Sequence, residues 1–462
     1  MAEEALIKPG DVTIDELSIV AHDGTEYSLQ SEGMLAEINI YEDIWNKFMT
    51  GDIVIKDAAD FVANAPIMGG EIINVKLRTN TFEDTPDAII SRSFQVYAIK
   101  NRSLNNDREQ IYVLNFCSVE MMSDQQVTLH RRYKGNTEEI IQDIWDHFVI
   151  EARHPLEKDA PTGIVIGDTP HASSVSFITH GWTAIQAFDY MSKYIRGNKY
   201  IGADFIFYES NKRQWFTSLQ ERIASGKEAP FEEYIFSPGG TKIEPRSSGE
   251  NFTGLQLPVG WCKIESMKIP RTIDILDGQD SGQYAQSVRA YDIFTKERVE
   301  MDIDVRRDFK KFVHTGDGVP IPEGIKRNPY SMTTIKPLNS VNNLTQTAGI
   351  PGSKSGNSDN ENIIGATLYR NNYFSSFKDY TFEIDVPGRT DIEVGMMIYI
   401  QYPSPRTKTE DLTFDDIYDK QLSGKYLITA IRHKVDNVGH VMKMEIVRNG
   451  LEESMGPPEE EK

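Results

Sequence analysis

Phe94-Gln-Val-Tyr-Ala-Ile-Lys-Asn-Arg102 can be laid over Tyr426-Leu-Ile-Thr-Ala-Ile-Arg-His-Lys434. Both stretches read aromatic, any, β-branched, any, Ala, Ile, basic, any, basic. Upstream, Gly70-Glu-Ile-Ile-Asn-Val-Lys-Leu77 corresponds to Gly395-Met-Met-Ile-Tyr-Ile-Gln401. Downstream, Ile111-Tyr-Val-Leu-Asn-Phe116 corresponds to Val441-Met-Lys-Met-Glu-Ile446. Alternation alone makes any two β-meanders look partly alike. The shared Ala-Ile-basic-x-basic element goes beyond alternation, and the order of segments agrees. The chain therefore reads as one β unit written twice. Three copies of such a chain would present six similar units, so a threefold ring could meet a sixfold partner.

Outward from the first repeat, the opening of the chain reads as β. Met34, Ala36, Ile38 and Ile40 alternate onto one face, and Gly51 opens a short strand, Asp52–Lys56. Asp57–Asn64 allows one or two helical turns, and Pro66 with Gly69-Gly70 marks a turn. In Glu71–Arg78, Ile73, Val75 and Leu77 share a face. Ser93–Asn101 and Gln110–Ser118 carry apolar residues on both faces, which predicts cover on both sides.

The character changes near residue 121. Asn136-Thr-Glu-Glu139 resembles a capping box, and Ile140, Ile141, Ile144, Trp145 and Phe148 then share a helical face. Thr183 with Gln186 opens a second helix that runs through Phe188, Met191 and Ile195 to a stop at Gly197. Ala203–Glu209 and Gln214–Ser218 read as a hairpin. Residues 226–258 are polar and rich in Gly, Pro and Ser, and strand patterning returns at Trp261–Pro270 and Tyr291–Val305. Residues 315–365 read as loop, strands resume from Tyr380 to Asn449, and the tail is acidic.

The 462 residues exceed what one hydrophobic core usually serves, so at least two domains are expected. Seventy acidic residues against 49 basic ones leave a net charge of −21, which disfavours stable binding to nucleic acid or anionic membranes. No stretch is long and apolar enough for a membrane helix, and Met1-Ala2-Glu3-Glu4 does not begin a signal peptide. Cys117 and Cys262 lie far apart in apolar runs, which predicts buried free thiols rather than a disulfide or a zinc site.

A search for chemistry yields no site: no catalytic, cofactor-binding or metal-binding residues are assigned. Gly424-Lys425 lacks the earlier glycine of a phosphate loop and precedes a strand. The nine histidines form no metal pair, and His171 and His180 flank a Ser-rich segment without a nucleophile elbow. Asp302 and Asp304 could hold a divalent cation, but their alternation with Met301, Ile303 and Val305 favours a solvated strand face. Asp415-Asp416 singles out no glycosidase in so acidic a chain. His130-Arg131-Arg132-Tyr133-Lys134 is the one basic-aromatic cluster, and the acidic helix start after it favours a salt-bridging patch.

Several scattered segments together carry a family resemblance. They are Tyr41–Trp45 through Gly51–Asp57, Pro66–Glu71, Arg132–Gly135, and Gly181-Trp-Thr183 leading into Phe188–Met191. Phe205–Glu209, Trp215–Leu219 and Val394-Gly395 with Ser423–Ile431 complete the set. Over about three quarters of its length the chain resembles the baseplate hub protein of contractile-tailed bacteriophages, and the front half of type VI secretion spike proteins. The segment 315–365 has no counterpart in that pattern.

The resemblance implies an α+β, mainly β fold, with two tail-tube-type β-barrel domains and an inserted α/β segment. Expected boundaries are 1–120 for the first tube-type domain, 121–255 for the middle segment, and 256–310 with 366–450 for the second. A loop-rich insertion at 311–365 and an acidic tail at 451–462 complete the division. The implied function is structural rather than enzymatic. A homotrimer would adapt the sixfold tail tube protein to the threefold central spike protein, beside other baseplate wedge proteins. DNA would pass through its channel without specific binding. Carboxylates facing that channel would repel phosphates, although acidity equally keeps a large protein soluble. The implied location is the virion tail baseplate, assembled in the host cytoplasm, with no cofactor and no stable membrane binding. A tail-associated cell-wall hydrolase and a receptor-binding tail protein are the alternatives.

Overall fold

The computed structural model describes residues 8–30, 34–58, 61–65, 67–80, 88–106, 108–151, 163–167, 174–193, 202–229, 232–236, 259–292, 298–321, 332–338, 358–404 and 418–452. It also describes Ile195, Gly197, Lys199, Tyr200 and Lys296. Expectations for Pro66, His171, Asp415-Asp416 and the acidic tail from Met455 lie outside these residues.

The opening region runs β1 (Val12–Val20), β2 (Glu26–Ser28), β3 (Leu35–Asp43), β4 (Thr50–Asp57), α1 (Phe61–Asn64), β5 (Ile72–Thr79), β6 (Ile89–Asn106) and β7 (Glu109–Ser118). The predicted strands are all present, with ends shifted by up to five residues, and β1 and β2 are additions. All their pairings are antiparallel, in the order β2-β1-β5-β6-β7-β4-β3. Alternation decides which side chains face inward: Gly51, Ile53 and Ile55 of β4 are buried, with Ile73, Val75 and Leu77 of β5. All but Gly51 join Phe94, Val96, Leu114 and Phe116 in one core. Each such large apolar side chain contributes about 1.5–3 kcal/mol by leaving water.

The middle region contains α2 (Val119–Gln126), β8 (Arg132–Asn136), α3 (Thr137–Ile144), β9 (Ile164–Ile166), β10 (Ser174–Ile178), α4 (Ala184–Ser192), β11 (Phe205–Glu209), β12 (Gln214–Ser218) and α5 (Leu219–Glu228). At α3 the Asn136 side chain accepts from the Glu138 N–H rather than completing a box with Glu139, and the helix widens to π geometry over Trp145–Ile150. At α4 the box is complete: the Thr183 hydroxyl accepts from Gln186 N–H at 3.3 Å, and Thr183 N–H donates to the Gln186 side chain at 3.1 Å. That helix ends at Ser192, short of the predicted Gly197, with Ile195 buried just beyond. Ile140, Ile141, Ile144, Trp145, Phe188 and Met191 meet in a core of their own.

The closing region holds β13 (Glu232–Phe236), β14 (Lys263–Ile264), β15 (Ser266–Arg271), α6 (Ile275–Asp280), β16 (Ala285–Asp292), β17 (Arg298–Asp304), α7 (Val305–Asp308), β18 (Thr333–Leu338), α8 (Ser358–Ser375), β19 (Tyr380–Pro387), β20 (Met397–Gln401), β21 (Gly424–Asp436) and β22 (Gly439–Arg448). β20, β21, β22, β19 and β15 pair in that order, all antiparallel. β13 bonds to β20 and β14 in parallel, so Glu232–Phe236 joins this sheet and not the middle region. β16, β17 and β18 form a separate sheet, with α8 against it.

One prediction fails in this part of the chain. The loop expected over 315–365 contains β18 and the start of α8. Its Asn, Ser and Gly residues are weak helix formers, which hid the helix. The helix instead holds through burial of Ala366, Leu368, Tyr369 and Tyr373. Among the described residues, no helix is long and apolar enough to cross a membrane.

Candidate functional site: the joint between the two repeats

The repeat read from sequence is reproduced in the strand register around its matching residues. Ile73 pairs with Phe94 across β5 and β6, and its counterpart Ile398 pairs with Tyr426 across β20 and β21. Gly70 N–H donates to Val96 O at 2.7 Å and Val96 N–H to Glu71 O at 2.9 Å. At the matching places Gly395 N–H donates to Ile428 O at 2.9 Å and Ile428 N–H to Met396 O at 2.9 Å. Both glycines take a positive φ, +100° and +82°, the left-handed region that glycine enters without a Cβ clash.

A bulge is duplicated as well. β6 carries an extra residue between Val96 and Ala98, opposite Phe116 and Asn115. β21 carries one between Ile428 and Ala430, opposite Ile446 and Glu445. Alternation alone cannot place a bulge at matching residues, because a bulge breaks alternation. Continuing along the ladders, Gly51 lies opposite Phe116 where Phe382 lies opposite Ile446. Asn39 lies opposite Asp52 where Lys268 lies opposite Glu383. The series β3-β4-β7-β6-β5 therefore matches β15-β19-β22-β21-β20, with the strands in the same chain order.

The two series are joined by one antiparallel ladder between β3 and β21, from Ala430 opposite Asp43 to Asp436 opposite Glu37. Ile44 N–H adds a bond to Thr429 O at 2.9 Å. On the more exposed face, Arg432 Nε donates to Asn39 at 3.0 Å and its guanidinium reaches Glu37 at 3.2 Å. Lys434 lies 3.4 Å from Glu37 and 3.0 Å from Asp436. The Tyr41 hydroxyl donates to Asp52 at 3.0 Å, and burial first, then the Asp52 charge, push that phenol up to about 12.

The other face of the joint is buried. His433 Nε2 lies 3.0 Å from Glu42 and its Nδ1 lies 3.1 Å from His440 Nε2, with all three side chains shut off from solvent. Desolvation holds His440 well below the usual histidine range, with the His433 ring a smaller contribution in the same direction. One hydrogen bond links His433 Nδ1 to His440 Nε2, and Glu42 accepts from His433 Nε2. Glu42 also accepts from Asn211 N–H at 3.1 Å, which ties the joint to the middle region.

Outside the joint, the residues weighed for chemistry are separated. Arg131 pairs with Asp143 at 3.1 Å and covers the Tyr133 ring, as a salt-bridging patch does. Arg307 holds Asp302 at 3.1 Å, while Asp304 accepts from Arg306 N–H at 3.0 Å. His180 is exposed, and Lys425 lies within β21. Cys117 is buried and Cys262 partly so, and desolvation pushes their thiols up to about 12 and about 11. Among the described residues, no three His, Cys, Asp or Glu side chains are grouped to hold a metal ion.

One sequence expectation is corrected at β6. Cover on both faces holds from Arg92 to Val96, but Tyr97 to Asn105 are exposed or only partly buried. The ladder with β5 ends at Gln95, so β6 runs on with β7 as its one described strand neighbour. The part played by β3 in the joint was also missed. The sequence carried no signal of it: the length of β6 and β21 against β5 and β20, which leaves half of each long strand for a second partner, is seen only in the fold.

No family model matches the sequence, and a search of curated proteins finds no significant match. Solved structures do resemble it. The tail protein from Neisseria meningitidis MC58 has 10% identity and a TM-score of 0.52, over 95% of this chain and 99% of that one. The 43 kDa tail protein of prophage MuSo2 from Shewanella oneidensis gives 9% and 0.47, over 94% and 98%. A prophage tail protein from Listeria monocytogenes gives 8% and 0.46, over 94% and 95%. The chain thus shares its mainly β fold with the Neisseria tail protein across nearly the whole of both, and the resemblance read from the sequence is met at the level of fold.

Proposed function

We propose that the chain is a structural hub of a phage tail baseplate. Three copies close a ring in which six similar β units face the sixfold tail tube, and the threefold side holds the central spike. The observation that carries this reading is the duplicated register, down to the bulges at Val96/Ala98 and Ile428/Ala430. Two equivalent units in one polypeptide are what a threefold assembly needs in order to mimic a hexagon. The fold shared with a tail protein supports the same placement.

In this reading each β unit is a tube-type barrel, and the middle region is a spacer between them. One feature favours near-closure of the second barrel. The run Lys263–Arg271 bonds to β13 at its start and to β19 after Glu265, so the strand path β13-β20-β21-β22-β19 returns close to its origin. DNA passes through the ring, and the net charge of −21 keeps its phosphates from sticking. Wedge proteins surround the ring in the virion.

The test is co-sedimentation of the purified chain with the tube protein and the spike protein of the same particle. The hub reading expects a complex with each, and one complex containing all three proteins. A chain that binds intact cells or clears peptidoglycan but binds neither tail protein would contradict it.

A further inference from the structure

We propose that the open edge of β6 receives β15 of a second copy of this chain, in the way that β21 receives β3 within one copy. The proposal rests on the hub reading for its ring, but the surface comes from the strand ladders themselves.

β21 bonds to β20 through Gly424–Leu427 and, past the bulge, to β3 through Ala430–Asp436. β6 is built alike. It bonds to β5 through Ile89–Gln95, and past its bulge the same edge has no strand partner among the described residues. The counterpart of β3 in the second repeat is β15, which bonds to β19 on one edge and to no described strand on the other. Each chain thus keeps one copy of each half of the joint unused.

Exposure marks the same places. Thr429 and His433 are fully buried beside β3, whereas of their counterparts Tyr97 is 48% exposed and Asn101 is exposed. Tyr97 and Leu104 on β6, with Ile269, Ile273, Ile275 and Leu276 on and just after β15, are among the few large apolar side chains open to water. A bare strand edge with apolar side chains is a template for another strand. Since the two edges differ, copies add head to tail, and such a contact closes into a ring if the rotation permits. Carrying the internal register over sets Ala98 opposite Thr272, within one residue, because β15 has an irregular step between Lys268 and Arg271. Glu37 and Asn39, which serve Arg432, are matched by Ser266 and Lys268. The contact between copies therefore relies on apolar cover and on backbone bonds at positions other than Pro270, which has no N–H, without the ion pairs of the internal joint.

The experiment mixes two separately purified full-length variants, Ala98→Cys and Thr272→Cys, under mild oxidation, with Arg271→Cys and Ile273→Cys as neighbouring positions. The expected result is a disulfide-linked pair from the mixture, strongest at one of the three positions, and little from either variant alone. Ala98→Cys mixed with Val438→Cys is the control, since Val438 is exposed on the turn after β21. Tyr97→Asp, a change at an exposed side chain, should leave the melting curve unchanged and weaken self-association at least about tenfold. Cross-linking no greater than the control, or Tyr97→Asp assembling as well as the parent chain, would overturn the proposal. If trimers form by another surface, this interface fails while the hub reading stands. If the chain is monomeric at every concentration and with its tail partners, both fail.

Discussion

Gly51 and Phe116 lie opposite one another between β4 and β7, so close that a Cβ on residue 51 would sit 2.3 Å from the Phe116 ring. In the second repeat the same two places hold Phe382 and Ile446. The bulk has moved across the ladder while the ladder stayed. Gly51→Ala is expected to destabilise the chain by about 1–3 kcal/mol through overpacking. Phe116→Leu in the same chain should recover part of that loss. It cannot recover all, because the Asn39 carbonyl would also be only 2.4 Å away. Urea denaturation of the single and double variants checks this.

That exchange also shows what the sequence made legible. The Ala-Ile-basic pattern found the duplication because Ala98 and Ala430 follow the bulge, where a small residue sits in both repeats. The strands β4, β5, β7 and β22 and the box at Thr183 were readable from alternation and capping, which are local rules. The helix α8 was not, since burial of Leu368 and Tyr373 against distant strands overrides its poor propensity. The joint was hidden for the same reason: Glu42 and His433 are 391 residues apart, and nothing local announces their contact.

Glu42→Ala should be costly, because it strips a buried histidine pair and the Asn211 N–H of their acceptor. A buried donor left without its acceptor typically costs about 1–3 kcal/mol, and more than one donor is stripped here. Arg432→Ala, on the more exposed face of the same joint, should cost about 1 kcal/mol or less. Thermal melts that rank the two variants in the opposite order would contradict the account of the joint.

Arg370 ties α8 to the middle region. One guanidinium nitrogen donates to the carbonyls of Ser192, Ala203 and Phe205 at 3.1, 2.6 and 2.9 Å. Desolvation lowers its pKa to about 10, so it remains charged at neutral pH. Arg370→Met leaves those carbonyls without the charged donor and should cost about 1.5–3 kcal/mol. Faster proteolysis in the middle region than in the first β unit would be the matching readout.

Two buried histidines set a pH dependence. Burial lowers His314 to about 4 and His440 well below the usual range, so the unfolded chain takes up protons near 6.5 that the folded chain refuses. Their contribution is complete above that pH and is lost as pH falls below it. Asp379, raised to about 6 by burial, works the other way: its folded form holds a proton that the unfolded chain releases down to about 4. His314→Phe should therefore flatten the fall of stability between pH 6.5 and 4 by up to about 1.4 kcal/mol per pH unit. Identical slopes for variant and parent would contradict this.

Electron microscopy of the purified chain, alone and with its spike, measures the outcome on which these inferences converge. The expected image is a ring of three chains in which six lobes of similar shape stand at nearly equal angles. A ring with another number of chains, or three chains whose opening and closing sheets lie at different radii, would contradict it.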